Sequence, residues 1–444
     1  MKVKIDMPED VKFIINTLMN NGYESYIVGG CVRDSIMQKN PKDWDITTKA
    51  NPEEVMKLFD KVVLTGLKHG TVTVMINKEG YEVTTYRADG EYEDNRHPKE
   101  VKFVSSLKED LARRDFTINA MAYNEKDGLI DYFGGMEDLS NEIIKTVGDP
   151  KKRFNEDALR MLRAIRFSAQ LNFKIDENVL NAIKEFKDNI KNISKERIRE
   201  ELNKILLSNP KKIDILRKCE ILEYIIPGIS KIYNFNQNND YHNFDLYNHT
   251  LVATDAIESK LHLRLAMMLH DFGKIETKTT DENGISHYYA HAKESVKIAT
   301  KILKDLKYDN ETINKVLTLI QYHDCTLKSK LSVKRMLNKI EEELFRDLIK
   351  VQRADILSQN PVYAEERLLN LVSIESKLDL ILSQNECFNL KDLRINGGDL
   401  IDIGFKKGKE IGETLKYLLE LVIQNPKLNE KEELIKLAKE KLNV

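Results

Sequence analysis

The chain changes character near residue 150, and that break limits the folds open to it. Before it come short runs rich in β-branched and aromatic residues: SYIVG (25–29), WDITT (44–48), GTVTVMI (70–76), YEVTTYR (81–87) and VKFV (101–104). Bounded by turn-like residues, such runs read as strands. Ahead of them Val11, Ile14, Ile15 and Leu18 recur at helical spacing behind Pro8 and two acids, which predicts a helix. Beyond 150 nearly every segment suits a helix, and the Asn-rich stretch NFNQNNDYHNFD (234–245) reads as a loop. The expected fold class is therefore α+β: a head over 1–145 with a small mixed sheet, then an all-helical remainder. A length of 444 residues leaves room for two to four domains.

A formal net charge of −2 rules out a bulk basic tail for nucleic acid, so any such surface must be local. Residues 151–166 (KKRFNEDALRMLRAIR) supply one, with six basic and two acidic side chains. Cys31, Cys219, Cys325 and Cys387 are too widely spaced for a disulfide framework or a Cys-rich zinc motif, which fits a reducing cytoplasm. No signal-peptide-like core opens the chain and no run of ~18 apolar residues occurs, so no membrane partner is expected.

Within the head, YIVGGCVRDSIM (26–37) reads as strand, tight turn and helix start. Gly29 and Gly30 would let a phosphate approach the backbone, and Arg33 could fork onto its oxygens. Asp43 and Asp45 stand two apart at the edge of a predicted strand, with both side chains on one face and Trp44 behind. Like charges that close repel unless a cation lies between them, and oxygen ligands beside a phosphate suit Mg²⁺. Glu82, on another predicted strand, could supply a third carboxylate or simply face solvent. Arg113 and Arg114 beside Asp115 suit a triphosphate or ribose, with a salt-bridged helix start as the alternative. In NEDALRMLRAIRF (155–167), Asp157 and Arg160 are three apart on a predicted helix, and Arg163 and Arg166 continue the stripe. Facing a base, the Asp–Arg pair matches the amino group and ring acceptor of cytosine or adenine. Uracil and guanine would each leave buried polar groups unpaired, at ~1–3 kcal/mol apiece.

IVGGCVRD, KDWDITT, ARRDFTINAMAY, GDPKKRFNEDALRMLRAIRF and SKERIREEL (194–202), in this order, resemble the class II CCA-adding tRNA nucleotidyltransferases and the related bacterial poly(A) polymerases. The segment at 392–435 is similar to the C-terminal part of the bacterial CCA-adding enzymes. The resemblance implies a catalytic head (1–145), a base-selecting neck (146–230), a helical body (231–360) and a tRNA-binding tail (361–444). It implies addition of CCA to the tRNA acceptor end from CTP and ATP, with no DNA partner. Asp43 and Asp45 would be catalytic and hold Mg²⁺, and Gly29, Gly30 and Arg33 would bind triphosphate. Arg113, Arg114 and Asp115 would contact ribose and phosphate. Asp157 and Arg160 would select the base, flanked by Arg163 and Arg166, with Arg197 bracing the template helix. Residues 86–106 resemble the loop that full CCA-adding members retain. A poly(A) polymerase or A-adding enzyme is the alternative within the fold.

Histidines gather between 242 and 291, and His270 adjoins Asp271 on an apolar predicted helix, an arrangement that invites a metal. Imidazole and carboxylate donors suit Mn, Fe, Ni or Co and leave positions for activated water. The set resembles the HD phosphohydrolases, which implies His249, His270, Asp271 and Asp355 as core ligands. His291 and His323 would be further ligands or phosphate contacts. The rival of another class is accordingly a metal-dependent phosphohydrolase with a nucleotide-sensing head, and an RNA chaperone built on the basic stripe ranks last.

Overall fold

Seven strands of the N-terminal region form one mixed sheet in a computed structural model that describes residues 3–67, 70–89, 101–238, 241 and 243–442. The chain divides into two compact units, Met1–Pro227 and Gly228–Val444.

The strands are β1 (Ser25–Val28), β2 (Ile46–Thr48), β3 (Val62–Gly66), β4 (Thr71–Ile76), β5 (Glu79–Thr85), β6 (Arg87–Asp89), β7 (Val101–Phe103), β8 (Met121–Asn124) and β9 (Gly128–Asp131), with a short parallel pair, Ile143–Ile144 and Lys174–Ile175, that puts one strand into the region expected to be all-helical. The sheet order is β3-β4-β5-β2-β1-β8-β9. Only β2 and β5 run parallel among its pairs, which makes the sheet mixed. The helix Glu9–Asn20 buries Val11, Ile14, Ile15 and Leu18, the face that the spacing marks out. β6 and β7 pair antiparallel, Arg87 with Phe103. The loop expected at 86–106 lies, over 90–100, outside the described residues.

Three expectations need correction. The strand expected over 44–48 begins only at Ile46, so Asp43 and Asp45 precede it. Ile46–Thr48 are all buried, and a carboxylate drawn into that ladder would lose its water without a partner. β8 and β9 were not expected as strands. Every residue of β8 is buried, so it carries no alternation to read. Lastly, NEDALRMLRAIRF is not one helix. A helix over Pro150–Glu156 ends at Asp157, whose φ is −138° and ψ 106°, and the next begins at Leu159. The Asp157 Oδ1 accepts from the Leu159 backbone N–H at 3.0 Å, the local bond by which an aspartate competes with helix continuation. Asp157 and Arg160 therefore do not share a helical face.

The second unit is helical apart from a short hairpin of Thr279–Thr280 with Ser286–His287. Leu246–Ala256, Leu261–Leu269, His291–Asp305, Asn310–Tyr322 and Glu342–Leu357 carry or flank the clustered histidines. A separate core near the C-terminal end packs Leu400, Leu418, Val422 and Leu434. The four cysteines are free. Among the described residues no helix is long and apolar enough to cross a membrane.

Candidate functional site

The first cluster is built on the turn out of β1. Gly29 has φ +84°, a conformation that side chains other than glycine rarely adopt. A Cβ there would lie 3.0 Å from the Arg114 Nη1 and 3.9 Å from an Asp45 carboxylate oxygen, so this glycine lets both approach the backbone. The Val28 N–H donates to the Asp45 carbonyl at 3.0 Å and holds that segment beside β1. Ile46 pairs with Val83, and continuing this parallel register one residue back sets Asp45 alongside Glu82. Loss of water raises the Asp45 carboxyl, Arg114 pulls it down, and Asp43 pushes it up again. Burial, then Asp45 and Asp43, raises Glu82. Three carboxylates that disfavour one another's charge are a fit for a divalent cation.

The arginines are committed to different extents. The Arg33 Nη1 donates to the Asn119 Oδ1 at 2.6 Å, and its Nε donates to the Asp34 Oδ1 at 2.8 Å. Arg113 donates through Nη2 to the Asp110 Oδ1 at 2.7 Å and through Nε to the Arg87 carbonyl at 3.1 Å. The buried Arg114 Nε has no hydrogen-bond partner, and Nη2 stands 3.7 Å from the Asp110 Oδ2. Asp115 accepts from the Arg163 Nε at 2.7 Å, with Arg163 Nη2 at 2.5 Å, and from the Phe116 N–H at 2.8 Å. Burial would raise its carboxyl, but Arg163, joined by Arg160 and Asn119, outweighs that and holds it at about 2.

Asp157 receives the Arg197 Nη2 at 3.0 Å. The Arg160 Nη1 binds the Glu156 Oε2 at 2.6 Å and the Arg153 carbonyl at 3.3 Å, while Nη2 binds the Arg113 carbonyl at 3.1 Å. Arg166 pairs with Glu201 at 2.7 Å and lies 3.9 Å from the centre of the Phe167 ring. Arg33 and Arg163 approach the same ring at 5.3 and 5.4 Å. Sequence reasoning passed over Asp110, Asn119, Glu156 and Glu201, which anchor these guanidinium groups. In sequence they look like ordinary helix or turn polar residues, and only their placement beside arginine in the fold distinguishes them.

The second cluster gathers all six side chains expected at the histidine site. The His249 Nε2 lies 3.1 Å from the Asp355 Oδ1, and the His270 Nε2 lies 3.2 Å from the Asp271 Oδ2. The other Asp271 oxygen, Oδ1, faces the His291 Nε2 at 3.2 Å and the His323 Nε2 at 3.6 Å. The donor atoms form two sets, His249–His270–Asp271–Asp355 and Asp271–His291–His323, each within 4.8 Å, and Asp271 belongs to both. Nδ1 of His270, His291 and His323 bonds to the carbonyls of Met267, Tyr288 and Ile320 at 2.7, 2.9 and 2.7 Å. Nδ1 of His249 meets the Ser358 Oγ at 3.1 Å. A carbonyl only accepts, so each of those three rings carries its proton on Nδ1 and, when neutral, turns an Nε2 lone pair inward. Nε2 atoms meet in two pairs, His249 with His270 at 3.3 Å and His291 with His323 at 3.1 Å. Both Asp271 oxygens are buried without a hydrogen bond, although the Lys274 Nζ stands 2.7 Å from Oδ2. A buried carboxylate ringed by imidazole nitrogens, with Lys274 on one side only, suits a bound cation. Burial pushes His270 down, yet Asp271 and then Asp355 lift it to about 10. Imidazole and carboxylate donors together suit Mn, Fe, Ni or Co.

Comparison with known proteins places these clusters in context. Residues 25–145 match the family described as "Poly A polymerase head domain", and 172–232 match "Probable RNA and SrmB- binding site of polymerase A". Residues 277–438 match a family for the second domain of tRNA nucleotidyltransferases. The chain is 34% identical to the CCA-adding enzyme of Lactobacillus helveticus over 431 residues, 95% of this chain and 96% of that one. It is 33% identical to that of Staphylococcus epidermidis over 96% of each. Among solved structures, the Bacillus stearothermophilus CCA-adding enzyme in complex with CTP aligns with TM-score 0.74 and 26% identity over 98% of both chains.

Proposed function

The chain belongs to the CCA-adding tRNA nucleotidyltransferases of the class II nucleotidyltransferase and poly(A) polymerase family, and from that premise we propose how its own residues divide the work. The protein adds CCA to the 3′ end of tRNA from CTP and ATP, without a nucleic-acid template. The observation that carries this activity to a site is the Gly29 turn, where Arg114 and Asp45 meet over one glycine.

In the proposed reaction the tRNA's terminal ribose hydroxyl attacks the α-phosphorus of the incoming nucleotide and pyrophosphate leaves. Asp43 and Asp45, with Glu82 beside them, would hold Mg²⁺. The chemistry Mg²⁺ supplies when bound is a lowered hydroxyl pKa and neutralisation of the departing charge. Gly29, Gly30 and Arg33 cradle the triphosphate. Arg113 and Asp110 steady the turn from which Arg114 reaches it, and Asp115 orients Arg163 toward the ribose. Asp157 and Arg160 read the base. Three of the five N–H groups of Arg160 are taken by protein acceptors, which leaves two for a nucleobase. Arg197 braces Asp157 from the following helix.

Extending tRNA truncated after the discriminator base tests this reading. CTP alone should add two residues, CTP with ATP should complete CCA, and D43A should do neither. Incorporation of ATP without any use of CTP would instead assign the chain to the A-adding or poly(A)-forming branch.

A second reading is favoured by the shared Asp271: the second unit would be a metal-dependent phosphohydrolase. His249, His270, Asp271 and Asp355 would hold one ion, and Asp271, His291 and His323 another. The chemistry such ions supply is an activated water and a polarised phosphoryl oxygen. The ester would be cleaved by water, giving an alcohol and phosphate.

A further inference from the structure

Five side chains close a ring of contacts between the two ends of the proposed nucleotide site. Arg33 comes from the helix Gly30–Ile36, Asp115 and Asn119 from the segment that ends in the buried turn Thr117–Asn119, and Arg163 and Phe167 from the helix Leu159–Leu171. Asn119 stands between the charged groups. Its Oδ1 accepts from the Arg33 Nη1 at 2.6 Å, and its Nδ2 donates to the Asp115 Oδ1 at 3.3 Å. The other Asp115 oxygen, Oδ2, accepts from the Arg163 Nε at 2.7 Å. Phe167 completes the ring: its centre lies 5.3 Å from the Arg33 guanidinium carbon and 5.4 Å from that of Arg163.

The two bridges differ in kind. A cation more than 5 Å from a ring centre is held by a broad attraction, so Phe167 sets spacing. Hydrogen bonds to charged groups are directional, so Asn119 sets orientation. An amide suits its place between an arginine and an aspartate, because it offers an acceptor to one and a donor to the other. Asn119 is only 6% exposed, which leaves water little access to replace either bond. It also sits against the glycine turn. A Cβ on Gly29 would lie 3.9 Å from the Asn119 carbonyl oxygen, and one on Gly30 would lie 3.7 Å from the Arg33 Nη2.

We propose that Asn119 is a positioning residue that makes the triphosphate grip and the ribose readout one unit. A triphosphate that fixes Arg33 also fixes the amide, and through it the Asp115–Arg163 pair at the sugar. By reciprocity, the sugar contact steadies Arg33. The proposal rests on the assignment of Arg33 to triphosphate and of Asp115 with Arg163 to ribose, and adds the residue that links them.

The test follows CTP incorporation by the full chain into tRNA truncated after the discriminator base. Three quantities are read: the inhibition constant of inorganic tripolyphosphate, the kcat/KM ratio of CTP to 2′-deoxy-CTP, and the ratio of CTP to UTP. R33A should weaken tripolyphosphate inhibition, and R163A should lower the sugar ratio. N119D, the isosteric change, keeps an acceptor for Arg33 and sets a second carboxylate against Asp115. It should hold tripolyphosphate inhibition within about twofold and lower the sugar ratio about 3- to 30-fold. N119A removes both bonds and should weaken tripolyphosphate inhibition as well. In both variants the CTP to UTP ratio should stay within about twofold, because Arg160 keeps its own partners on Glu156, Arg153 and Arg113. An unchanged sugar ratio in N119D, or an equal loss in all three quantities, would overturn the link and leave the two end assignments standing. Loss of the expected effect in R33A or in R163A would overturn that assignment and the link with it.

Discussion

Asp115 shows how much one side chain depends on its partner. In the unfolded chain its carboxyl titrates near the ordinary value of 3.8, and in the fold Arg163 holds it at about 2 despite burial. A folded-state pKa below the unfolded one gives stability that is complete above pH ~4 and is lost as the pH falls through ~2. The shift corresponds to about 2 kcal/mol. Trp44, the one tryptophan of the chain, lies in the same unit and reports on it. Urea unfolding followed by Trp44 fluorescence should find D115N less stable than wild type at pH 5, with the gap closing between pH 4 and pH 2. A gap that persists at pH 2 would show that Asp115 does not act through its charge. Arg163 was legible in sequence only as part of a basic stripe. Its partner lies 48 positions away, and only folding brings the two together.

At the scale of elements, the break between Pro150–Glu156 and Leu159–Leu171 matters most. An unbroken helix would have set Asp157 and Arg160 side by side. The break instead leaves Asp157 as a hinge residue, bonded to the Leu159 N–H on one oxygen and to Arg197 on the other. Both contacts aim a carboxylate whose remaining lone pairs are available to a base. D157A should therefore relax base choice more than it slows chemistry, with misincorporation of UTP or GTP rising by about 5- to 100-fold. R197A should give a weaker form of the same change, since on the proposed reading it removes the contact to Asp157 and leaves Asp157 itself in place. Single-nucleotide incorporation kinetics separate these outcomes, and an equal fall in rate for all four nucleotides would refute base reading by Asp157. The helical period was readable from 155 to 167, but the interruption was not, because aspartate is tolerated inside helices as well as at their ends.

For the whole molecule, each of the two units carries its own candidate chemistry, and the two should be separable. Ligands that bind only the folded state stabilise it, by ~2.7 kcal/mol at a hundredfold excess over the dissociation constant. Mn²⁺ added to chelator-stripped protein should raise the unfolding temperature of Gly228–Val444, seen by helical circular dichroism. The Trp44 transition of Met1–Pro227 should move less. D271A should abolish the Mn²⁺-dependent rise, because it removes the carboxylate common to both donor sets. D43A should leave the rise intact while ending CCA addition. A D271A protein that still gains stability from Mn²⁺ would place the ion elsewhere.

Amphipathic spacing, turn residues and the order of short motifs were enough to set the fold class, the strand-rich head before residue 150 and the family, since these depend on local pattern along the chain. The resemblance of the histidine motifs to the HD phosphohydrolases, and not periodicity, pointed to the six side chains that the fold then brings together. Tertiary structure alone decided which atoms of those side chains meet, that both oxygens of Asp271 are shared between two donor sets, and that Asp110, Asn119, Glu156 and Glu201 anchor the arginines. The reason is physical. Propensity and periodicity act between neighbours in sequence, whereas ion pairing, desolvation and ligand geometry act between groups that only a packed chain holds a few ångströms apart.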